Sequence, residues 1–439
     1  MPLGACRLKK WIVATLVVVC AAVSFVACGG KSTAPKVSGL PERVLASQGV
    51  TSTNNFGGLF IIDGRNDTIA RIAPLSAGSS PGLMAMSPTL NIAGAFDASS
   101  NSIFAVNTTD ESSIGKVQLP GPTSSFVIPT ASATGFAAVP TATVTGFAYL
   151  GAIASMNFTA GAFTAIAVNS AQTVVANSDG SQLLVFSADS DFVTVLNPGA
   201  AAPPVDTSCY YTTPNTVCAI VAGFDRPVFA IVKGSTAYVL NCGPQCGGTQ
   251  ASVMVFDLAT LTVTKTIPVA AATMALLNGT TLYVAGTPPT NNACTGQTTA
   301  AKTCGRLSVV DLNSGKVVGS PAVITDGYHA RMDMTFNGQL FIGSRDCTNI
   351  GNVNNPSGEV RGCLTIYKTA DGSVLIPPDN GNVDGLQGFK SRDVEYVAEG
   401  GALRVYDIRK DILLINDFLP QGTINIVGYV GDVKAIDDF

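Results

Sequence analysis

The sequence predicts an all-β fold made of four-stranded units repeated around a ring, and three observations lead to this prediction. An alternating apolar run, a polar turn and a second β-branched run recur along the chain, as in residues 307–318. A shorter apolar phrase with an aromatic residue precedes several copies, as in residues 281–284. The segment 423–436 alternates in the same way but has no hairpin after it. Together they predict a seven-bladed β-propeller whose C-terminal strands complete the first blade.

The predicted number of blades comes from counting hairpins. Seven copies begin near Leu59, Ser102, Gln182, Ser252, Leu307, Leu364 and Leu403. In five of them an acidic residue closes or follows the first run: Asp63, Asp189, Asp257, Asp311 and Asp407. Alternation joined by Gly, Asn or Asp turns indicates β-hairpins. Because one such sheet cannot bury both its faces, each is expected to cover its neighbour.

The repeated phrase also resembles a known family. Its pattern, (L/I)-(S/Y)-V-(V/F)-D-x-x-(T/S)-x-x-V-x-x-x-(I/V), is similar to the YVTN-type β-propeller repeats of bacterial envelope proteins, from residue 59 to the C-terminus. The resemblance implies the fold and says little about activity. The chain departs from the family because it lacks a strict Tyr-Val-Thr-Asn tetrad and carries cysteine-bearing inserts.

The first 27 residues have the features of an export signal. Arg7, Lys9 and Lys10 precede an apolar stretch, and the sequence Phe-Val-Ala-Cys that ends at Cys28 resembles a lipobox. That resemblance implies a lipoprotein-type signal peptide and lipidation of Cys28. An ordinary secretory signal or an uncleaved anchor are the alternatives. The lipoprotein interpretation predicts a bacterial cell-envelope protein, anchored to a membrane by its N-terminal lipid and facing the periplasm or the exterior.

The remaining chain divides into a predicted flexible tether, 28–48, and a single propeller, 49–439. Loss of the signal removes three of the 25 basic residues and leaves 22 against 29 acidic ones. No Lys/Arg cluster occurs in this part of the sequence. Nucleic acid is therefore not expected as a partner, since phosphate binding requires a basic surface.

The region between Lys116 and Asp179 contains no charged residue. Within it, residues 147–168 are apolar over a length that could cross a membrane. Gly, Ser, Asn and Thr recur through this stretch, which favours buried propeller strands over a transmembrane helix.

Eight cysteines follow Cys28, and an exported protein is expected to oxidise them. Sequence alone leaves the connectivity open, and the simplest arrangement pairs neighbours: Cys209–Cys218, Cys242–Cys246, Cys294–Cys304 and Cys347–Cys363. Three of these pairs lie between an aromatic phrase and the next hairpin, so their inserts are expected on one face of the ring. A redox role for the Cys-Gly-Pro-Gln-Cys segment and a zinc site are the weaker alternatives.

The single histidine, His329, lies in a polar segment expected to lead into an inner strand. A small catalytic or binding site in the central channel could combine His329 with Tyr328, Arg331 and Asp333. The preferred interpretation is a structural histidine that is hydrogen-bonded in a loop.

Other motifs have structural explanations. Asp63 and Asp67 have a spacing that could suggest calcium, but a hairpin turn accounts for it. Two Arg-Asp dipeptides, at Arg345 and Arg392, could form ion pairs between strands or inserts. No nucleophile elbow, P-loop or dinucleotide motif fits its context, so no cofactor and no metal are predicted. The only tryptophan, Trp11, lies in the signal, which disfavours tryptophan-docked quinone cofactors.

Three functions remain compatible with these features. The preferred one is a non-enzymatic envelope scaffold that binds a protein, a peptide or a polymer. The alternative is a lactonase-like hydrolase with its site at the mouth of the central channel, which is an analogy at the level of the fold. The third is a structural component of a surface layer.

Overall fold

The computed structural model describes residues 37–51, 56–198, 218–289, 304–347, 363–377, 381–416 and 419–437. The predicted signal peptide, the lipidation site Cys28, and the cysteines Cys209 and Cys294 lie outside the described residues. Residues 38–439 form one compact unit. In the part of the chain that is described, no helix is long and apolar enough to cross a membrane.

Eight antiparallel sheets form an all-β propeller, so the predicted number of seven blades is wrong. From the centre of the ring outward, blade 1 consists of β34 (Tyr429–Ala435), β1 (Arg43–Gly49), β2 (Gly58–Asp63) and β3 (Thr68–Ile69). In the same direction, blade 2 consists of β4 (Pro81–Met86), β5 (Ile92–Asp97), β6 (Ser102–Asn107) and β7 (Ser112–Gln118). Blade 3 consists of β8 (Ser125–Val127), β9 (Thr134–Thr143), β10 (Leu150–Asn157) and β11 (Ala162–Ala167).

The other five blades follow in chain order. Blade 4 consists of β12 (Ala171–Ala176), β13 (Leu183–Ser187), β14 (Phe192–Leu196) and β15 (Cys218–Ala222). Blade 5 consists of β16 (Pro227–Lys233), β17 (Thr236–Asn241), β18 (Ser252–Asp257) and β19 (Thr262–Pro268), with a short 3-10 helix at Gly243–Cys246. Blade 6 consists of β20 (Met274–Asn278), β21 (Thr281–Gly286), β22 (Gly305–Asp311), β23 (Lys316–Val317) and the additional β24 (Ala322–Ile324). Blade 7 consists of β25 (Tyr328–Met334), β26 (Gln339–Arg345), β27 (Leu364–Lys368) and β28 (Val374–Leu375). Blade 8 consists of β29 (Val383–Gly388), β30 (Val394–Glu399), β31 (Ala402–Asp407), β32 (Ile412–Leu413) and the additional β33 (Thr423–Ile424).

The ring closes as the sequence predicted, because the last strand completes the first blade. Strand β34 pairs antiparallel with β1, with Val44 opposite Ala435 and Gly49 opposite Tyr429. Strand β1 includes residues 43–48, which lie in the segment predicted as a tether, so the first strand begins six residues before position 49.

The blade missed by hairpin counting is blade 3, in the uncharged region. Its β10 and β11 occupy the apolar stretch that had raised the question of a membrane span. The turn between them is equivalent to the turns that carry an aspartate in other blades, but it carries Asn157. The side-chain oxygen of Asn157 accepts a hydrogen bond of 2.9 Å from the Ala160 N–H, and Gly161 then takes a positive φ of 65°. An amide acceptor thus takes the place of the carboxylate found at this turn in four other blades.

The recurring aspartates stabilise turns between the third and fourth strands. Asp63, Asp257, Asp311 and Asp407 each accept a hydrogen bond from the backbone N–H two residues further on. This Asx-turn geometry fixes the chain reversal locally. The copy containing Asp189 differs, because its hairpin joins the second and third strands of blade 4.

Eight hydrophobic clusters lie between the blades, one at each junction. Strand β1 shows how they are built, because its successive side chains point to opposite faces. Val44 and Ala46 pack against blade 8, whereas Leu45 packs against blade 2. Every blade is therefore buried on both faces, and the ring has no terminal blade.

Three junctions also carry ion pairs with a buried acidic residue at one equivalent position. The acidic residue that precedes the fourth strand takes a positive φ in blades 1, 2 and 8, at Asp67, Glu111 and Asp411. Each of these acids is at most 5% exposed and binds a cation of the preceding blade. The ion pairs are Asp67–Arg392 at 2.7 Å, Glu111–Arg43 at 2.7 Å and Asp411–Lys368 at 2.6 Å. They bind together the four consecutive blades 7, 8, 1 and 2, which include the closing blade.

We predict that Asp67→Asn lowers the free energy of unfolding by about 3 kcal/mol, because the Arg392 guanidinium loses its buried counter-charge. The substitution is nearly isosteric, and Asn tolerates the positive φ of this position. Arg409→Gln is the control, since Arg409 is 74% exposed in its ion pair and should contribute under about 1 kcal/mol. Urea denaturation measures both variants. Equal unfolding midpoints for Asp67→Asn and the wild type would contradict a stabilising role for this pair.

Candidate ligand site at the channel mouth

The cysteine-bearing inserts of three blades leave the described strands at one edge of the ring, and residues 290–303 and 348–362 of two of them lie outside the described residues. They join the second and third strands of blades 5, 6 and 7, at the edge where the inner strands begin. The predicted disulfides Cys242–Cys246 and Cys347–Cys363 are present. Cys304 and Cys218 are also disulfide-bonded. The predicted pairs with Cys294 and Cys209 involve cysteines outside the described residues.

The Cys242–Cys246 loop is fixed to three blades. At its base, the Asp225 carboxylate accepts hydrogen bonds from the backbone N–H groups of Thr249 and Gln250. From its tip, Gln245 accepts a hydrogen bond of 2.7 Å from the Thr287 N–H of blade 6. Gln245 also donates to the Gly327 carbonyl, beside blade 7, at 3.3 Å. The loop is therefore held in place before any ligand arrives.

A cavity of about 460 Å³ lies at this end of the central channel. We call it the channel mouth. Six blades contribute to its wall, because their inner strands all begin at this edge. One residue from each of blades 2 to 7 illustrates the lining: Leu83, Phe126, Gln172, Val228, Met274 and Arg331. A second cavity of about 280 Å³ shares Gln172, Val228 and Tyr328 with it and reaches Cys246 of the fixed loop.

His329 lines the channel mouth but is fully buried. Its Nε2 lies 3.0 Å from the Thr325 carbonyl oxygen, which identifies Nε2 as the protonated nitrogen. Burial lowers the pKa of His329 to about 4, although the hydrogen bond to Thr325 opposes this shift. The imidazole is therefore neutral at physiological pH. It is hydrogen-bonded within the fold, as the preferred interpretation held, and it lies in an inner strand rather than in a loop.

Two arginines are the charged residues of the cavity lining. Arg345 forms an ion pair of 2.7 Å with Asp384 of blade 8. The Tyr429 hydroxyl of blade 1 donates a hydrogen bond of 2.6 Å to the same carboxylate. Burial and the hydrogen bond to Asp384 raise the pKa of Tyr429 to about 12. Arg331 donates from Nε to the backbone carbonyl of Asp384 at 2.7 Å. Asp384 thus connects blades 8 and 1 to the channel mouth.

The two Arg-Asp dipeptides do not pair internally. Arg345 binds Asp384 rather than Asp346, and Arg392 binds Asp67 rather than Asp393. Each arginine therefore bridges two blades. Asp67, which had suggested a calcium ligand, is engaged by Arg392 and by the Tyr396 hydroxyl. Among the described residues, no group of three or more His, Cys, Asp or Glu side chains could hold a metal ion.

Asp333, the third predicted site residue, is not part of the channel mouth. It lies near the far end of β25, where its Oδ2 accepts a hydrogen bond of 2.6 Å from the Gly388 N–H. A Cβ atom at Gly388 would lie 3.2 Å from this oxygen and 2.7 Å from Oε2 of Glu395. The glycine therefore lets two carboxyl groups approach each other inside the fold. Burial first, and then the charge of Asp333, raise the pKa of Glu395 well above its usual range.

The structure thus unites Tyr328, His329 and Arg331 at the channel mouth and separates them from Asp333. Sequence reasoning missed the contributions of Asp384 and Tyr429, and it assigned Arg345 only a structural ion pair. The channel mouth offers donors from guanidinium and hydroxyl groups next to an apolar wall. Such a site can bind and orient a small molecule. Among the described lining residues, His329 carries the imidazole, and burial keeps it neutral near physiological pH.

Comparisons with known proteins identify the fold alone. No protein-family model matches the sequence, and no curated protein matches it at a significant level. Among solved structures, the dihydro-heme d1 dehydrogenase NirN in complex with DHE is similar with a TM-score of 0.56 and 12% identity, over 91% of this chain and 75% of that one. A candidate 6-phosphogluconolactonase from Bacteroides uniformis has a TM-score of 0.47 and 11% identity, over 90% and 99%. Hydrazine synthase from Kuenenia stuttgartiensis has a TM-score of 0.42 and 14% identity, over 75% and 77%. At 12% identity, the similarity to the NirN structure supports the β-propeller fold and assigns no activity.

We predict that Glu395→Gln changes the pH dependence of stability. The unfolded chain releases the Glu395 proton near pH 4.3, whereas the folded protein holds it to higher pH. The stabilisation that comes from this bound proton is therefore fully present below about pH 4. It decreases as the pH rises towards the raised pKa of Glu395, by up to about 1.4 kcal/mol per pH unit. The glutamine variant lacks this loss.

The stability of Glu395→Gln relative to the wild type should therefore increase as the pH rises above about 4.5, as measured by urea denaturation at each pH. Glu42→Gln removes a carboxyl group near the surface and serves as the control. Parallel curves for the wild type and Glu395→Gln would show that Glu395 ionises without a penalty inside the fold.

Proposed function

We propose that this protein is an exported, lipid-anchored β-propeller that binds a small ligand at the channel mouth without converting it. The observation that carries the proposal is the cavity of about 460 Å³, whose neighbouring cavity reaches a loop that is already fixed by a disulfide and by Gln245. A site whose rim is ordered in advance loses little conformational entropy when a ligand binds. The inserts on the same face are then the surface through which a larger partner in the envelope would approach.

The lining favours binding over catalysis. A hydrolase needs a group that accepts or donates a proton near neutral pH, within reach of the reacting atom. His329 is neutral, but its Nε2–H is directed to the Thr325 carbonyl, and the imidazole is fully buried. Asp333 lies at the other end of the inner strand. The guanidinium groups of Arg331 and Arg345 are hydrogen-bond donors with no acceptor atom and therefore serve to hold a ligand.

We predict that the full-length protein, purified in detergent from cell envelopes, retains a small molecule that native mass spectrometry detects at one copy per chain. Gln172→Trp should abolish this retention, because Gln172 lines both cavities and is exposed, so the larger ring can fill the mouth without disturbing the core. Phe192→Trp is the matched control, since Phe192 belongs to the same blade and is also exposed.

Two results would contradict the proposal. A protein partner retained equally by the wild type and by Gln172→Trp, with no small molecule, would place binding outside the channel mouth. Hydrolysis of a lactone probe such as glucono-δ-lactone, abolished by His329→Asn and not by Phe192→Trp, would establish the hydrolase alternative instead.

A further inference from the structure

The most informative group in the channel mouth is the guanidinium of Arg331, which is only partly satisfied. Its Nε donates to the Asp384 carbonyl at 2.7 Å, and one terminal nitrogen donates to the Ala330 carbonyl at 3.0 Å. Both acceptors are neutral backbone oxygens. Within the described residues, the second terminal nitrogen makes no hydrogen bond and no carboxylate pairs with Arg331. The side chain is thus oriented by the fold while its charge remains uncompensated.

Arg345 adds a second cation at the same wall. Its ion pair with Asp384 engages one of its terminal nitrogens at 2.7 Å. The Asp384 carboxylate is shared with the Tyr429 hydroxyl, so its negative charge is already divided between two donors. Asp384 itself is 7% exposed and lies behind the two arginines. The lining of the cavity therefore has two guanidinium groups, and the Asp384 carboxylate, which pairs with Arg345 alone of the two, is not part of that lining.

Apolar side chains form a second part of the lining. Leu83, Phe126, Val228, Phe229 and Met274 line the cavity from blades 2, 3, 5 and 6. Apolar walls of this kind contribute affinity by removing ligand surface from water, whereas a few polar groups fix the orientation. A ligand that uses both the arginines and the apolar side chains has an apolar body and a polar end.

We infer that the channel mouth binds a small molecule that combines an apolar body with one oxyanion, held by the free edge of Arg331. This inference rests on the function proposed above and specifies its ligand. A guanidinium in a partly dry site gains most from an acceptor that carries a full negative charge. A cation would be repelled, and a neutral ligand would leave the charge of Arg331 desolvated without compensation. The planar guanidinium donates paired hydrogen bonds equally well to a carboxylate or to a phosphate, so the oxyanion could be either.

Three probes of one shape test the charge requirement: phenylacetate, phenyl phosphate and phenylacetamide. Each is titrated into the full-length protein in detergent and followed by ligand-observed NMR. We expect at least one anion to bind about tenfold more tightly than the amide, and this preference to decrease as salt is added. The tighter of the two anions identifies carboxylate or phosphate as the preferred group. Gln172→Trp should weaken both anions, which locates the binding at the mouth.

Arg331→Gln should reduce anion binding by about tenfold or more and leave the amide unchanged, whereas Arg331→Lys should restore part of the preference. Arg409→Gln, on an exposed turn of blade 8, is the matched control and should bind as the wild type does. The thermal midpoint of each variant verifies folding, and Arg331→Lys keeps the test decisive if Arg331→Gln unfolds.

The outcomes separate this inference from the proposed function. Equal binding of the amide and the anions at the mouth, unaffected by Arg331→Gln, would overturn the inference and leave the proposed function standing. The inference is also overturned, and the proposed function also stands, if no probe binds while the purified protein retains a neutral molecule that Gln172→Trp displaces. If no probe binds and the purified protein retains no small molecule, both fail.

Discussion

The pairing of β34 with β1 is the constraint on which the rest of the structure depends. Each blade buries its faces only against its two neighbours, so an open ring would expose two apolar sheet faces at once. Pairing the two ends of the described chain in one sheet removes those faces. The ion pairs at Asp67, Glu111 and Asp411 are found at the junctions around this closure, where blades brought together from opposite ends of the chain must be kept in register. Covalent continuity provides the same restraint along the middle of the chain.

Much of the fold could be predicted from the sequence, because a repeated hairpin is a local signal. The propeller architecture, the closure and the common face of three inserts all follow from the order of strands. The number of blades could not be obtained in this way, because the hairpin of blade 3 combines an Asn turn with alanine-rich strands and so departs from the repeated phrase in both features. At Asn157 an amide provides the same acceptor, and the aligned glycines Gly161 and Gly315 have φ angles of 65° and 62°. A pattern defined by hydrogen-bond acceptors and by the glycine would have included blade 3.

The candidate site was predictable only in part, for a geometric reason. Tyr328, His329 and Arg331 share one strand, so the sequence places them together, whereas Asp384 and Tyr429 reach the channel mouth from other blades. Asp333 illustrates the opposite error. It is near His329 in the sequence, but each residue of a strand advances the chain by about 3.3 Å, which carries it out of the channel mouth. Proximity in the sequence along a strand is thus a poor guide to a site that several blades share.

The presence of eight blades rather than seven also sets the width of the space inside the ring. Sheets pack face to face about 10 Å apart, so one more blade lengthens the circumference by roughly that amount and widens the ring by about 3 Å. This increment is close to the thickness of an aromatic ring. In this protein it comes from blade 3, whose uncharged sequence and alanine-rich strands allow close packing on both neighbours. The gain or loss of a single repeat therefore changes the width of the space that the inner strands enclose by about the thickness of one aromatic ring.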